Sequence, residues 1–355
     1  MTAVNAVLDL AGLDALIGAL RTSGRTVIGP VLRDGAICLD ELTSAADLPS
    51  GWGVDAGPGH YRVHRREDTA VFGHSAGPQS WKRFLHPPRR ALVTSGPDGF
   101  RPVREDPVDH AFVGVRPCDL AAIGKLRQIV GGPMPFVVAA ECTEPGGVCF
   151  CASMGCGPSA SGGYDLALTE RIDEEGHRFF AVAGTHAGAE LLDRLPGRPA
   201  SERDFAQARS DVEGAARRMG RAMPDTDLRA LLAANREHPR WAEVAGRCFT
   251  CGNCTMVCPT CFCVSTEDTN DLDGGAQRSQ RWASCFEIDF SVLHGGAVRT
   301  SGAARYRQWM SHKLGTWHDQ FGTSGCVGCG RCIAWCPAGI DITEEAAALA
   351  DGVVR

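Results

Sequence analysis

The sequence predicts two folded parts: an α/β domain on a mixed sheet over residues 1–235, then a mainly helical, cysteine-rich domain over residues 240–345. A short tail, 346–355, closes the chain. Three observations carry this division. Short apolar runs alternate with helical patterns through the first part. The composition breaks after His238-Pro239. Beyond the break, residues 246–341 hold eleven of the 17 cysteines in an internally repeated arrangement.

Taken in order, residues 8–21 repeat apolar positions at helical spacing and stop at Ser23-Gly24. Strand-like runs follow at Thr26–Leu32 and Ala36–Leu39 around Asp34-Gly35, a hairpin signal. Further apolar runs lie at Arg90–Thr94, Ala111–Val115 and Phe136–Ala140, and the pair Tyr164–Thr169 and Arg178–Ala183 flanks Gly176 as a second hairpin. Helical patterns fall near Leu120–Val130, Ser201–Ala222 and Asp225–Glu237. A mixed sheet with flanking helices packs such a set. In the second part a helix is expected over about Ala303–Trp317, and a closing helix over Thr343–Ala350 with Thr343 as its cap.

Composition narrows the function. The 355 residues are 44% hydrophobic, enough for two cores. With 36 Lys and Arg against 42 Asp and Glu, the formal charge of −6 argues against a general nucleic-acid binder. No stretch approaches the roughly 20 apolar residues of a membrane span. Asp9 and Asp14 precede the first basic residue, Arg21, so the start does not read as a secretory signal. A cytoplasmic protein is expected. An odd number of cysteines there points to metal ligation rather than disulfides.

Spacing names the metal. Cys248, Cys251, Cys254 and Cys258 precede Pro259, and Cys326, Cys329, Cys332 and Cys336 precede Pro337. Both runs read C-x2-C-x2-C-x3-C-P, the ligation signature of two-cluster ferredoxins, in which the fourth cysteine of each run serves the other cluster. One [4Fe–4S] cluster is therefore expected on Cys248, Cys251, Cys254 and Cys336. The other is expected on Cys326, Cys329, Cys332 and Cys258. Zinc also takes four cysteines, but zinc ribbons use pairs of C-x2-C rather than triplets with a trailing Cys-Pro. The 68 positions between Cys258 and Cys326 exceed the gap of a compact ferredoxin and contain the helical run, so a helical dicluster ferredoxin-like domain is expected.

Four cysteines of the first part suggest a third cluster. Cys118 and Cys142 each follow a strand-like run, and Cys149 and Cys151 sit in the glycine-rich loop beyond. Consecutive strand ends of an α/β sheet converge where such folds build sites. Buried unpaired thiols or a structural zinc are the plainer readings of the same residues. Arg116 and Asp119 flank Cys118 as groups bearing on this site, or as a surface ion pair. Cys38, Cys156, Cys261, Cys263 and Cys285 are left out of the ligand set.

Other chemistry is absent from the sequence. No G-x-G-x-x-G follows a strand, no P-loop occurs, no H-E-x-x-H appears among the 11 histidines, and no paired C-x2-C motifs suit a nickel–iron centre. Neither flavin nor NAD(P) is expected on this chain.

Four segments together resemble one family: Val113-Gly114-Val115-Arg116-Pro117-Cys118-Asp119-Leu120; Cys149-Phe150-Cys151-Ala152-Ser153-Met154-Gly155; Cys258-Pro259-Thr260-Cys261-Phe262-Cys263; and Arg281-Trp282-Ala283-Ser284-Cys285-Phe286 with His312-Lys313. They look like the iron–sulfur β subunit of cytoplasmic nickel–iron hydrogenases of the sulfhydrogenase type, over about residues 85–342. The electron-transfer subunit of anaerobic sulfite reductase is a close relative, and the β subunits of F420-reducing enzymes are more distant ones. The resemblance implies a heterotetramer, with nickel–iron large and small subunits handling H2 and a flavin subunit exchanging hydride with NAD(P). This chain would be the electron-transfer subunit, non-catalytic by itself, passing single electrons to or from the flavin subunit. A flavin- or deazaflavin-binding oxidoreductase is the alternative from the enzyme class, and a zinc-stabilised scaffold is the plainest one.

Overall fold

The computed structural model describes residues 5–96, 99–104, 108–272 and 274–351. In chain order its principal strands are β1 (Asn5–Leu8), β2 (Thr26–Arg33), β3 (Ala36–Glu41), β4 (Trp52–Gly57), β5 (His60–Arg65), β6 (Arg89–Gly96) and β7 (Gly99–Pro102). They continue with β8 (His110–Val115), β9 (Phe136–Ala140), β10 (Leu166–Asp173), β11 (Gly176–Ala183), β12 (Arg198–Pro199), β13 (Val264–Asn270) and β14 (Ala276–Trp282). The main sheet runs β12-β1-β11-β10-β9-β8-β2-β3, with β2, β8, β9 and β10 parallel and the outer pairings antiparallel. This is the mixed α/β sheet that the sequence predicts.

Both faces of the sheet are covered. Strand β9 reads Phe-Val-Val-Ala-Ala and is buried at every position, as a strand between two helical layers must be. The helix Leu10–Thr22 starts where the Asp9 carboxylate accepts the Gly12 N–H at 2.8 Å. Its Leu13, Leu16, Ile17 and Leu20 lie on one stripe and fill one face with Val27, Ala111, Val113 and Val138. The helix Pro117–Val130 lays Leu120 and Ile123 on the other face with Phe112, Val115, Val137 and Ala139. Val113 and Val115 are two residues apart, yet pack on opposite faces. A bulge at Gly114 flips the strand: its φ is +82°, and an added Cβ would stand 2.9 Å from the Phe72 ring. The bulge redirects the chain just before Arg116-Pro117-Cys118.

Part of the insertion between the cysteine runs is strand rather than helix. Strands β13 and β14 pair with each other, and β14 pairs with β6 to form the sheet β13-β14-β6-β7. The β4–β5 hairpin likewise reaches across. The Tyr61 ring packs at a tilt against Trp335, centroids 4.9 Å apart, and the Gly59 N–H donates to the Ile333 carbonyl at 3.1 Å. The predicted helix at 303–317 appears as Gly302–Ser311, followed by a wider turn at His312–Thr316 and a short helix at Trp317–Phe321. The closing helix is Ile342–Asp351. Its cap is Asp341 rather than Thr343: the Asp341 carboxylate accepts the Thr343 N–H at 2.9 Å and hydroxyl at 2.7 Å. A carboxylate just ahead of the helix outcompetes the threonine hydroxyl for the first turn. Residues 352–355 of the expected tail lie outside the described residues.

Candidate metal centres

The two cysteine runs fold alike. In each, a left-handed glycine, Gly252 or Gly330, opens a short helix, Asn253–Met256 or Arg331–Ala334. In each, the amide two residues after the first cysteine turns back on its sulfur at 3.4 Å: Thr250 N–H on Cys248, and Gly328 N–H on Cys326. Such N–H groups favour a charged thiolate.

One cavity is lined by Cys248, Cys251, Cys254 and Cys336, the first three cysteines of one run and the last of the other. The rest of its wall includes Phe249, Phe286, Tyr306, Trp309 and Ile342, and no charged side chain. Burial pushes the Cys254 thiol well above its ordinary pKa and Cys248 above it as well. Cys251 is exposed.

Cys326, Cys329, Cys332 and Cys258 form the complementary group. The fields of Cys326, Cys329 and Cys258 all act on Cys332. Burial pushes Cys326 and Cys329 up to about 12. Cys258 goes the other way. A hydrogen bond from the Cys261 thiol holds it well below the ordinary thiol range, and the Lys313 ammonium helps against the cost of burial. The Lys313 Nζ donates to the Cys258 Sγ at 3.4 Å and to the Thr260 Oγ1 at 2.9 Å.

The third group assembles at the carboxyl ends of the adjacent parallel strands β8 and β9. Cys118 lies in the first turn of the helix after β8, and Cys142 two residues past β9. Cys149 and Cys151 join them around a smaller cavity. Burial lifts Cys142 to about 11 and Cys149 to about 12. Arg116 is buried, donating to the Cys142 Sγ at 3.6 Å and to the carbonyls of Phe72 and His74. Asp119 is buried too. Its carboxylate takes both arms of Arg331 at 2.7 and 2.8 Å. The surface ion pair of Arg116 with Asp119 is therefore not what forms: each finds a buried partner elsewhere.

The second group borders both of the others. Cys329 of the second group also walls the third cavity, and Cys332 also walls the first. The Cys151 loop docks directly on the second run, with the Phe150 N–H on the Gly328 carbonyl at 2.9 Å. Among the described residues, no three His, Cys, Asp or Glu side chains gather at the single point one metal ion requires. The thiols of the first and third groups stand around cavities. Four soft sulfurs around a partly apolar cavity, with amides aimed at them, match the donor set of an iron–sulfur cluster.

The five cysteines outside the ligand set divide. Cys38 lies half-buried in β3, and Cys156 donates to the Met154 carbonyl at 3.3 Å. The buried ammoniums of Lys82 and Lys313 both act on the Cys261 and Cys263 thiols, and that of Lys313 on Cys285. Sequence reasoning assigned no role to Lys313, Lys82 or Arg331. A basic residue within the second cysteine run, and a lysine beside a tryptophan-rich helix end, were the available signals.

Residues 247–340 match the 4Fe-4S dicluster domain family. Over a longer span, the chain is 28% identical to sulfhydrogenase 2 subunit beta of Pyrococcus furiosus across 292 residues, covering 77% of this chain and 86% of the relative. This relative is of the kind that the sequence motifs resemble. No solved structure matches the chain. Among the described residues, no helix is long and apolar enough to cross a membrane.

Proposed function

We propose that this chain is the electron-transfer subunit of a cytoplasmic, NAD(P)-linked nickel–iron hydrogenase complex. Cys248, Cys251, Cys254 and Cys336 would hold one [4Fe–4S] cluster, Cys326, Cys329, Cys332 and Cys258 a second, and Cys118, Cys142, Cys149 and Cys151 a third. Each bound cluster supplies one-electron chemistry. The protein supplies the thiolates and keeps the sites adjacent, leaving Cys251 at the surface. The Asp119–Arg331 pair holds the third site against the second, and Arg116 ties Cys142 to the carbonyls of Phe72 and His74. The partners are a flavin subunit that binds NAD(P) and the nickel–iron small and large subunits, with no flavin or nicotinamide on this chain.

The observation that carries the reading is the crosswise gathering of thiols around the first cavity, Cys336 joining the first three cysteines of the other run. Iron and acid-labile sulfide analysis of anaerobically purified protein tests it. About twelve irons per chain are expected from three cubanes. A fully loaded sample with fewer than about eight rejects the two-cluster core. Affinity purification of the tagged chain from its native cell should bring down flavin- and nickel-containing subunits. Recovery with a sirohaem protein instead would move the chain to a different complex.

A further inference from the structure

The two cysteine runs give their sulfurs the same backbone amide, from Thr250 or Gly328, at the same 3.4 Å. They differ in side-chain charge. No charged side chain lines the cavity of Cys248, Cys251, Cys254 and Cys336; the nearby Arg305 instead donates to the Phe286 carbonyl at 2.8 Å. The other group contains a buried ammonium in direct contact with a ligand sulfur.

Lys313 is held there by several contacts. The wider turn at His312–Thr316 carries it inward, and its side chain is buried. The Gly325 N–H donates to its carbonyl at 2.8 Å, and its ammonium lies 4.8 Å from the Trp317 ring centroid. Thr260 fixes the Nζ: its hydroxyl accepts from Lys313 at 2.9 Å, donates to the Gly325 carbonyl at 2.6 Å and lies 3.3 Å from the Cys258 Sγ. No carboxylate accepts from the Lys313 Nζ among the described residues.

Resting on the cluster assignment above, we propose that Lys313 is the residue that sets the two ferredoxin-type sites apart, giving the Cys258-containing middle site the higher reduction potential. Reduction adds one electron and breaks no bond, so the reduced cluster carries one more negative charge. An ammonium touching the sulfur of Cys258 stabilises that state more than the oxidised one. Thr260 is its positioning residue. The site that borders both others would then hold an electron more readily than the Cys248 site.

The test is an EPR-monitored redox titration of the full-length, anaerobically loaded chain. Lys313→Met should lower the potential of the signal that Cys326→Ala abolishes, by at least tenfold in its one-electron equilibrium, which is about 59 mV. The signal that Cys248→Ala abolishes should stay in place. Lys313→Arg, which keeps the charge, should restore most of the difference. Thr260→Val should move the same signal down by less, and it decides the matter if Lys313→Met does not load iron. With full iron content, unchanged potentials or an equal shift of both signals overturn the proposal and leave the cluster assignment standing. Iron content below about eight per wild-type chain would instead overturn the assignment itself.

Discussion

The two cysteine runs start from one local pattern and end in different surroundings. Both turn through a left-handed residue two positions after the first cysteine: Thr250 at φ +51° and Gly328 at φ +71°. At Thr250 the side chain is tolerated. At Gly328 an added Cβ would stand 2.5 Å from the Cys151 backbone, because the N-terminal loop carrying Cys149 and Cys151 packs on that run alone. The first run faces an aromatic wall from the helix Gly302–Ser311 and from Phe286. The second faces Lys313, Thr260 and the buried Asp119–Arg331 pair. Spacing within a motif thus decides where thiols point. Segments far away in the chain decide what charge and dryness those thiols meet.

The largest expected effect breaks the symmetry at the ligands. Cys258→Ala should remove the second cluster, about four irons, and leave the EPR signal of the Cys248 site intact. Loss of the Cys248 signal instead would mean that Cys258 serves its own run.

Next is the clamp between the third and second sites. Arg331→Met leaves Asp119 charged and unpaired in the interior, which should cost about 3–5 kcal/mol in urea unfolding. Adding Asp119→Asn should recover part of that loss. A single substitution with no loss would remove the clamp from the account.

Glycine and threonine then sharpen the contrast between the two turns. Gly328→Ala should destabilise the protein by about 1–3 kcal/mol, because the Cys151 backbone cannot yield without dragging the third site with it. Thr250→Gly relieves a left-handed threonine and should change stability by no more than about 1 kcal/mol, in the stabilising direction. Equal effects at both positions, measured by the same unfolding assay, would contradict the one-sided docking of the N-terminal loop.

Much of this was legible in the sequence because it is local. The repeat gave the two thiol sets, and the apolar runs before Cys118 and Cys142 marked strand ends that lie side by side. The hairpin around Gly176 and the strand Phe136–Ala140 appear where the apolar pattern put them. What was not legible depends on partners far apart. Arg331 and Asp119 are 212 positions apart, and nothing in either neighbourhood names the other. Strand β6 reads as a member of the main sheet, yet pairs with β14 across the insertion, since period and propensity do not choose a neighbour. Lys313 stands in the sequence as part of a resemblance segment, His312-Lys313, without a role of its own. Only the inward turn at His312–Thr316 brings it to Cys258.

The crosswise gathering of eight thiols is tested most directly by iron analysis of two double variants, measured against fully loaded wild-type protein. Cys258→Ala with Cys326→Ala strikes one proposed cluster twice and should leave about eight of twelve irons. Cys336→Ala with Cys326→Ala strikes two clusters and should leave about four. The reverse pattern, with the first pair losing more iron than the second, would contradict it.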